Sequence, residues 1–463
     1  MKLDEITFRD SISTIDSKGE RAWVYAKKPK GKYYLKRKIF GYSLLLFFIV
    51  LPFININGEQ FLMLNVLERK FILFGTMFYP KDFYLFYLIT VSFIVFIVLF
   101  TVLFGRLFCG WACPQTLFLE LIFRPIEWLI EGKPAKQKQL DAQKLNPEKI
   151  VKKTSKYTIY FGISIFITNI FLSYIVGSKV VMSYMQEPIS AHPGGFIAMM
   201  VFSFAFFFIY TRFREQVCTL MCPYGRLQSV LIDSDTVQVA YDSFRGEPRG
   251  VAKKKSQPTP EKIGDCIDCK ECVRVCPTSI DIRNGSQLEC INCTACMDSC
   301  NAVMRKIGKP SGLIRYSSEN GLKTGKNFRF TPRNIAYSAV LIGILIFFMM
   351  LLLGRGELDA TILRSRTSMF QNQNTNEITN LFTIEIMNQS NHEINVNVKL
   401  IAPQGRAEVF GSDLKLKKGE SAKASILVYI QKKNLSGSST PIKFGIFDGE
   451  NIVKTVEMNF LGQ

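Results

Sequence analysis

The sequence contains no C-x-x-C-H haem-attachment motif and no convincing G-x-G-x-x-G or P-loop run, and only two of its 463 residues are histidine, His192 and His392. The first absence excludes a covalently attached c-type haem. The second leaves no obvious place to take hydride from a nicotinamide. Charge is also missing from long stretches, although the chain as a whole carries a formal net charge of +20. With 48% hydrophobic residues, 39 Phe and a mean hydropathy of +0.14, the chain is neither disordered nor collagen-like, nor a simple cytosolic enzyme. Twelve cysteines in this length are too few for a disulfide-stapled miniprotein, so their spacing carries the information.

Five uncharged segments, roughly 39–56, 83–104, 157–176, 194–211 and 334–353, are long enough to cross a hydrocarbon core. Asn169 lies within the third and needs a partner inside the bundle. Lys36-Arg37-Lys38 and a polar stretch precede the first, which therefore reads as a retained span and not a cleaved signal peptide. Lys and Arg number eleven in residues 1–38, ten in 105–156 and twenty in 212–333, against three in 57–82 and one in 177–194. The positive-inside rule then puts the N-terminus and the loops 105–156 and 212–333 in the cytoplasm. Five spans leave the C-terminus outside. The charge is juxtamembrane, and orientation with anionic lipid explains it better than nucleic acid does.

The loop 212–333 reads as a domain of its own, bounded by linkers around Lys253-Lys254-Lys255, Pro258 and Pro260 and around 321–333. The segment 357–463 changes character. The runs LFTIEIM, INVNVKLI, ASILVYI, IKFGIF and IVKTVEMNF alternate like strands and are separated by turn residues. Seven or so short strands suit a β-sandwich of immunoglobulin size, here without cysteine and so without an inter-sheet disulfide.

Every cysteine falls into a motif. Cys266, Cys269, Cys272 and Cys276 form C-x2-C-x2-C-x3-C followed by Pro277, and Cys290, Cys293, Cys296 and Cys300 repeat the spacing. This is the two-cluster ferredoxin run, in which three close thiolates meet one cubane and the fourth ligand is exchanged between runs. One 4Fe–4S cluster would take Cys266, Cys269, Cys272 and Cys300, the other Cys290, Cys293, Cys296 and Cys276. A pair of zinc sites is the alternative, but zinc sites rarely repeat a triple-plus-one pattern. Asn301 follows Cys300 where proline is usual, which could loosen that turn.

The other four cysteines form two C-x3-C-P motifs, Cys109 with Cys113 before Pro114 and Cys218 with Cys222 before Pro223. Each lies just past the inner end of an inward-running span, so the four thiols could meet at one depth. Proline suits the first position of a helix, which puts Cys113 and Cys222 at helix N-termini, where the dipole lowers a thiol pKa. Arg106, Arg212, Arg214 and Arg226 add positive charge. Soft thiolates favour Cu(I) or iron–sulfur iron. The bland alternative is structural thiols at packed helix ends. His192, with Met182 and Met185 in an outer loop, is the other conceivable copper site, though a packing Met pair beside an ordinary loop histidine is the stronger reading.

Together these features resemble the FixG/CcoG (RdxA) family of cytochrome c oxidase accessory proteins over essentially the whole chain, above all in GRLFCGWACPQTLFLELIFRPIE and REQVCTLMCPYGRLQ. The C-x3-C-P core is also similar to that of the NapH and NosR polyferredoxins. The resemblance implies a bacterial inner-membrane protein that reduces Cu(II) to Cu(I) for assembly of cbb(3)-type cytochrome c oxidase. Two 4Fe–4S clusters would sit on the eight cysteines, and copper, as substrate or bound ion, would meet Cys109, Cys113, Cys218 and Cys222. Implied partners are the membrane, oxidase assembly factors, copper carriers and an unnamed electron donor, with no nucleic acid. A quinol-linked relay of the NapH/NosR type and a redox-sensing assembly scaffold without enzymatic activity are rival expectations. The expected architecture is an α-helical membrane bundle of five spans with an inserted two-cluster ferredoxin-like α+β domain and a C-terminal immunoglobulin-like β-sandwich. Its parts are a basic cytoplasmic segment (1–38), four helices carrying both C-x3-C-P ends (39–211), the cytoplasmic 4Fe–4S domain (212–333), a fifth helix (334–353) and a periplasmic sandwich (357–463).

Overall fold

Among the described residues six helices have at least twelve residues: α1 (Lys32–Val50), α2 (Phe83–Phe104), α3 (Pro147–Ile175), α4 (Pro193–Phe208), α5 (Ala295–Lys306) and α6 (Pro332–Leu353). The computed structural model describes residues 14–15, 18–56, 58–66, 70–78, 83–250, 263–325, 331–354, 358–365, 371–374, 377–388, 393–411, 414–417, 420–449 and 451–462. His392, Lys253, Lys254, Lys255, Pro258 and Pro260 lie outside them. The chain divides into two compact units, residues 1–74 with 80–346, and 75–79 with 347–463.

Four of the described helices are long and apolar enough to cross a bilayer: α2, α3, α4 with its continuation to Phe213, and α6. Protein covers only 28% of the apolar stretch of α2, 11% of that of α4 and none of that of α6. An apolar helix left uncovered on every side suits lipid and not water.

The first expected span behaves differently. Helix α1 carries Lys32, Lys36, Arg37 and Lys38 near its start and ends at Val50, just before Pro52, which cannot continue the hydrogen-bond ladder. Residues 55–56 are extended and pair with 59–60, so the helix both begins and ends earlier than 39–56. The backbone N–H groups of Tyr33 and Tyr34 donate to Asp298 of α5 at 3.3 and 2.7 Å. At the other end Phe48 stacks on Tyr174, with centroids 5.5 Å apart, and the Tyr174 hydroxyl donates to the Phe48 carbonyl at 2.6 Å. Tyr174 is in the last turn of α3, so the end of α1 lies beside the end of that helix. Asn169 finds its donor contact within its own helix, on the Ile165 carbonyl at 2.9 Å, not on a neighbour as expected.

Aromatic packing joins the helix ends that adjoin the C-x3-C-P motifs. Phe123 stacks on Tyr210 at 4.6 Å and meets Tyr160 edge-on at 4.7 Å, and the Tyr160 hydroxyl donates to the Phe123 carbonyl at 2.8 Å. The chain makes π-helical turns at Phe118–Phe123 and Ile209–Phe213, flanking the C-x3-C-P motifs, and at Val217–Met221, which carries Cys218. Beyond them lies the insert. An antiparallel ribbon (Gln238–Tyr241 with Ile314–Ser317), the short helix Glu271–Arg274 and α5 make it α+β.

A buried ionic belt underlies this junction. Arg214 grips Glu127 with two hydrogen bonds of 2.5 and 2.9 Å. Arg21 and Arg124 lie 3.1 and 3.6 Å from Glu215, and Lys156 lies 2.8 Å from Glu131. The N-terminal segment, the loop after α2, α3 and the end of α4 are thereby tied together.

The segment 347–463 of the second unit holds nine described strands: β1 (Leu358–Arg364), β2 (Gln371–Asn374), β3 (Glu377–Asn388), β4 (Ile394–Ala402), β5 (Gly405–Gly411), β6 (Lys415–Leu416), β7 (Ser421–Gln431), β8 (Ser439–Asp448) and β9 (Asn451–Leu461). One sheet has the order β5-β7-β3-β1 with β2 beside β3, the other β6-β4-β8-β9. Alternation decides which side chains face inward. Phe382, Ile384 and Ile386 of one sheet and Ile442, Phe444 and Ile446 of the other are fully buried, and Phe382 meets Phe444 edge-on at 5.7 Å.

Burial pushes the Glu127 carboxyl up, but Arg214, Lys156 and Arg124 outweigh it and hold the group below its ordinary value. Arg214→Met should strand that carboxylate and lower stability by about 3–5 kcal/mol, read as a fall in unfolding temperature in detergent, with Glu127→Gln added to it restoring part of the loss. A depressed folded pKa means that this stabilisation is complete above the unfolded value of about 4.3 and is lost as pH falls through the folded one. Identical acid profiles for wild type and Glu127→Gln would contradict the assignment.

Candidate metal centre

The two ferredoxin-like runs fold alike because their backbones reverse at matching positions. Asp268 and Lys270 in the first run, and Asn292 and Thr294 in the second, have φ of 51°, 56°, 52° and 66°. Asp and Asn are the residues that tolerate this left-handed region best after glycine. Each loop curls so that its first two thiols and the third, on the first turn of the following helix, point to one centre.

Two cavities result. One is lined by Cys266, Cys269, Cys272 and Cys300 with Tyr241, Ile267, Val303, Met304, Leu313 and Ile314. The other is lined by Cys276, Cys290, Cys293 and Cys296, with Cys272 at the shared edge and Val239, Ile280, Ile282 and Ile291 around them. Each run thus supplies three thiols to one cavity and its fourth to the other. Among the described residues no three His, Cys, Asp or Glu side chains close on a single point as a mononuclear ion requires. The thiols ring a space instead. Asn301 does not loosen the turn after Cys300: α5 continues to Lys306, and the Asn301 side chain accepts a hydrogen bond from the Gly312 N–H at 2.8 Å.

Burial pushes the Cys272, Cys290 and Cys300 thiols up to about 12 and Cys293 to about 11. Such a cage holds protons on its sulfurs until metal cations replace them. Two buried guanidinium groups stand beside it. Arg37, 1% exposed, is close enough to Cys293 to lower that thiol's pKa, and Arg106 does the same for Cys290 and Cys109. Arg37 Nη2 and Arg106 Nε find no acceptor among the described residues. Unpaired buried donors facing a ring of thiols suit a group of net negative charge, such as a thiolate-bound iron–sulfur cluster.

The C-x3-C-P thiols come together as expected. Cys113 and Cys222 are the N-caps of the helices Pro114–Leu117 and Pro223–Leu231. Cys109 Sγ donates to Gln228 Oε1 at 3.3 Å, and charge on any of Cys109, Cys113 and Cys222 would raise the pKa of a neighbour in the set. The expected dipole effect on Cys113 does not prevail. Burial pushes its thiol up against the N–H groups of Gln115 and Thr116, and burial raises Cys109 and Cys218 to about 12. His192 is committed elsewhere, its Nε2 lying 2.8 Å from Glu187 Oε2, while Met182 and Met185 are exposed.

The two sets of thiols abut. A Cβ added to Gly110 would lie 2.1 Å from the Ile291 carbonyl oxygen and 3.1 Å from the Cys293 nitrogen, so only glycine fits between Cys109 and Trp111. The Trp111 indole donates to the Asn292 carbonyl at 3.3 Å, and Arg37 Nε donates to the Gly110 carbonyl at 2.6 Å. Cys109 packs on the apolar cluster of Val275, Ile291, Cys293 and Ala295 that walls the cavity of Cys276, Cys290, Cys293 and Cys296.

A model described as a 4Fe-4S dicluster domain matches residues 213–319, a 4Fe-4S binding domain matches 86–135, and an IG-like fold at the C-terminal of FixG matches 348–463. The chain is 32% identical to Protein RdxB of Cereibacter sphaeroides over 80% of both chains, and 32% identical to Protein RdxA of the same organism over 72% of both. The chain belongs to the FixG family. It is also 36% identical to Nitrogen fixation protein FixG of Rhizobium meliloti over 56% of this chain and 49% of that one. As a FixG-family member with 4Fe–4S domains and apolar helices, it is a membrane iron–sulfur electron-transfer protein.

Three of this FixG-family protein's site residues escaped the sequence reading: Gly110, Arg37 and Asn292, whose side chain accepts from the Val239 N–H at 3.1 Å. Gly110 stood in plain view between Cys109 and Trp111, but its partner is remote in sequence. Gly110→Ala should force the insert off the membrane end and cost about 1–3 kcal/mol in thermal unfolding, whereas Gly162→Ala, which meets nothing within 4 Å, should cost nothing. Equal stability of both variants would refute the close approach.

Proposed function

We propose that this protein reduces Cu(II) to Cu(I) in the bacterial inner membrane, for assembly of a cbb(3)-type cytochrome c oxidase. The observation that carries the reading is the seating of Gly110 against Ile291 and Cys293, which sets Cys109 on the wall of the inner thiol cavity. Iron–sulfur clusters in the two cavities would supply one-electron storage. Cys266, Cys269, Cys272 and Cys300 would hold the outer one, and Cys276, Cys290, Cys293 and Cys296 the inner one.

The chain's own residues then account for the rest. Cys272 lines both cavities and brings the two centres close. Arg106 acts on Cys290 of the inner cavity and on Cys109, lowering the cost of negative charge on both. Cys109, Cys113, Cys218 and Cys222 receive copper. One electron leaves for each Cu(II), which departs as Cu(I), the state that thiolate and thioether carriers hold well.

In the same reading α1 is the fifth span. The N-terminus, the loop 105–156 and the insert 212–333 face the cytoplasm, and the sandwich 357–463 faces the periplasm, where it would dock oxidase assembly factors or copper carriers. The Lys and Arg distribution and the packing of 21–38 on the insert support this orientation.

Replacing Cys109, Cys113, Cys218 and Cys222 with Ser should abolish cuprous ion formation, read with a Cu(I)-specific chelator, while iron and sulfide content stay at the wild-type level. Unchanged copper reduction in that variant would remove these thiols from the reaction.

A further inference from the structure

Of the twelve cysteines, only Cys269 is exposed. It belongs to the outer cavity, so the outer centre comes nearest to water there. Lys270 follows it, and one turn of helix, Glu271–Arg274, leads away. That turn is tied to the N-terminal segment: the Lys27 N–H donates to the Arg274 carbonyl at 2.9 Å, and Lys27 and Arg274 both pair with Glu271.

At this point an open groove begins. Its basic lining is Lys27, Lys28, Lys30, Lys133, Lys138 and Arg274, and no carboxylate lines it. Its apolar part is Pro125, Trp128, Leu129 and Pro134. Leu129 is 85% exposed, and Lys28 lies over the Trp128 ring at 5.9 Å. The neighbouring carboxylates are already engaged: Asp268 and Asp281 by Arg283, and Asp265 by Arg245 and Lys309. The result is an apolar patch with a rim of one sign of charge beside the most accessible thiol. Weak, fast electron-transfer encounters use small surfaces steered by opposite charge. Anionic lipid would neutralise the same lysines but gives no reason for the groove to adjoin Cys269.

We propose that this groove docks the electron donor, and that the donor is a small acidic one-electron carrier protein. This rests on the reading of the insert as the point of electron entry. In the step, the reduced carrier loses one electron and the centre behind Cys269 gains it, with no bond made or broken and no proton required. Lys28, Lys30, Lys133 and Lys138 steer and hold the carrier without touching the centre.

The test uses the full-length, iron-loaded protein in phosphatidylcholine nanodiscs, without copper, mixed in stopped flow with the hydroquinone of an acidic flavodoxin. Reduction is followed by cluster absorbance. The expected wild-type rate falls steeply with salt, and Lys28→Glu/Lys30→Glu/Lys133→Glu/Lys138→Glu lowers it at least tenfold at low salt. Reduction of the same variant by photochemically generated deazaflavin radical, which needs no docking, stays at the wild-type rate. No loss with flavodoxin, or an equal loss with both reductants, overturns the proposal. So does a variant that loses binding to phosphatidylglycerol vesicles while keeping its flavodoxin rate, which would make the groove a lipid site. With copper absent, the outcome is separate from cupric reduction: a protein that accepts electrons here yet leaves added Cu(II) unreduced loses the proposed activity and keeps the docking site.

Discussion

The approach of the Gly110 backbone to the Ile291 carbonyl is the contact on which the rest of the molecule depends. A side chain of any size at 110 would hold the insert away from the helix ends that carry the C-x3-C-P motifs. Without one, the loop carrying Cys109 lies directly on the loop carrying Cys290 and Cys293, and Trp111 and Arg37 pin it there. Two sets of thiols far apart in sequence become neighbours. Electron transfer falls steeply with distance, so a backbone-to-backbone contact joins centres that a spacer of even one side chain would separate further.

Charge placement follows from the same junction. An apolar bundle end tolerates buried ions only in pairs, and the pairs of Glu127 with Arg214, of Glu215 with Arg21 and of Glu131 with Lys156 satisfy that rule while joining elements from four parts of the chain. Arg37 and Arg106 break it. Each is buried and bonded to a backbone carbonyl, Gly110 or Gly225, with no carboxylate partner among the described residues. The charge that would complete them is the thiolate-bound metal of the cavity beside them. The belt is therefore scaffold, while these two arginines belong to the centre.

Much of this was legible in the sequence where the determining chemistry is local. Three thiols within seven residues dictate a loop around one point, and the exchange of Cys276 and Cys300 between runs is visible in the linings of the two cavities. The sandwich strands were legible because Ile384 and Ile386 flank exposed Glu385, and Ile442 lies between exposed Pro441 and Lys443. Strand β5 was not, because its residues are mostly half-buried or exposed, without alternation. Remote contacts were also hidden. Arg37 read as one of a basic triplet that orients a span, and nothing local marks it as the partner of Gly110. At Cys113 the local rule, a helix dipole favouring the thiolate, was correct about the N-cap and lost to burial, which only packing reveals.

The central claim is that two separate rings of four thiols, exchanging their fourth members, each enclose an iron–sulfur cluster. The most direct test is iron and acid-labile sulfide analysis of the anaerobically purified chain, with EPR of its dithionite-reduced form. The account predicts about eight iron and eight sulfide per chain and a spectrum broadened by coupling between two neighbouring reduced centres. Zinc in place of iron, or four iron with a single uncoupled signal, would contradict it.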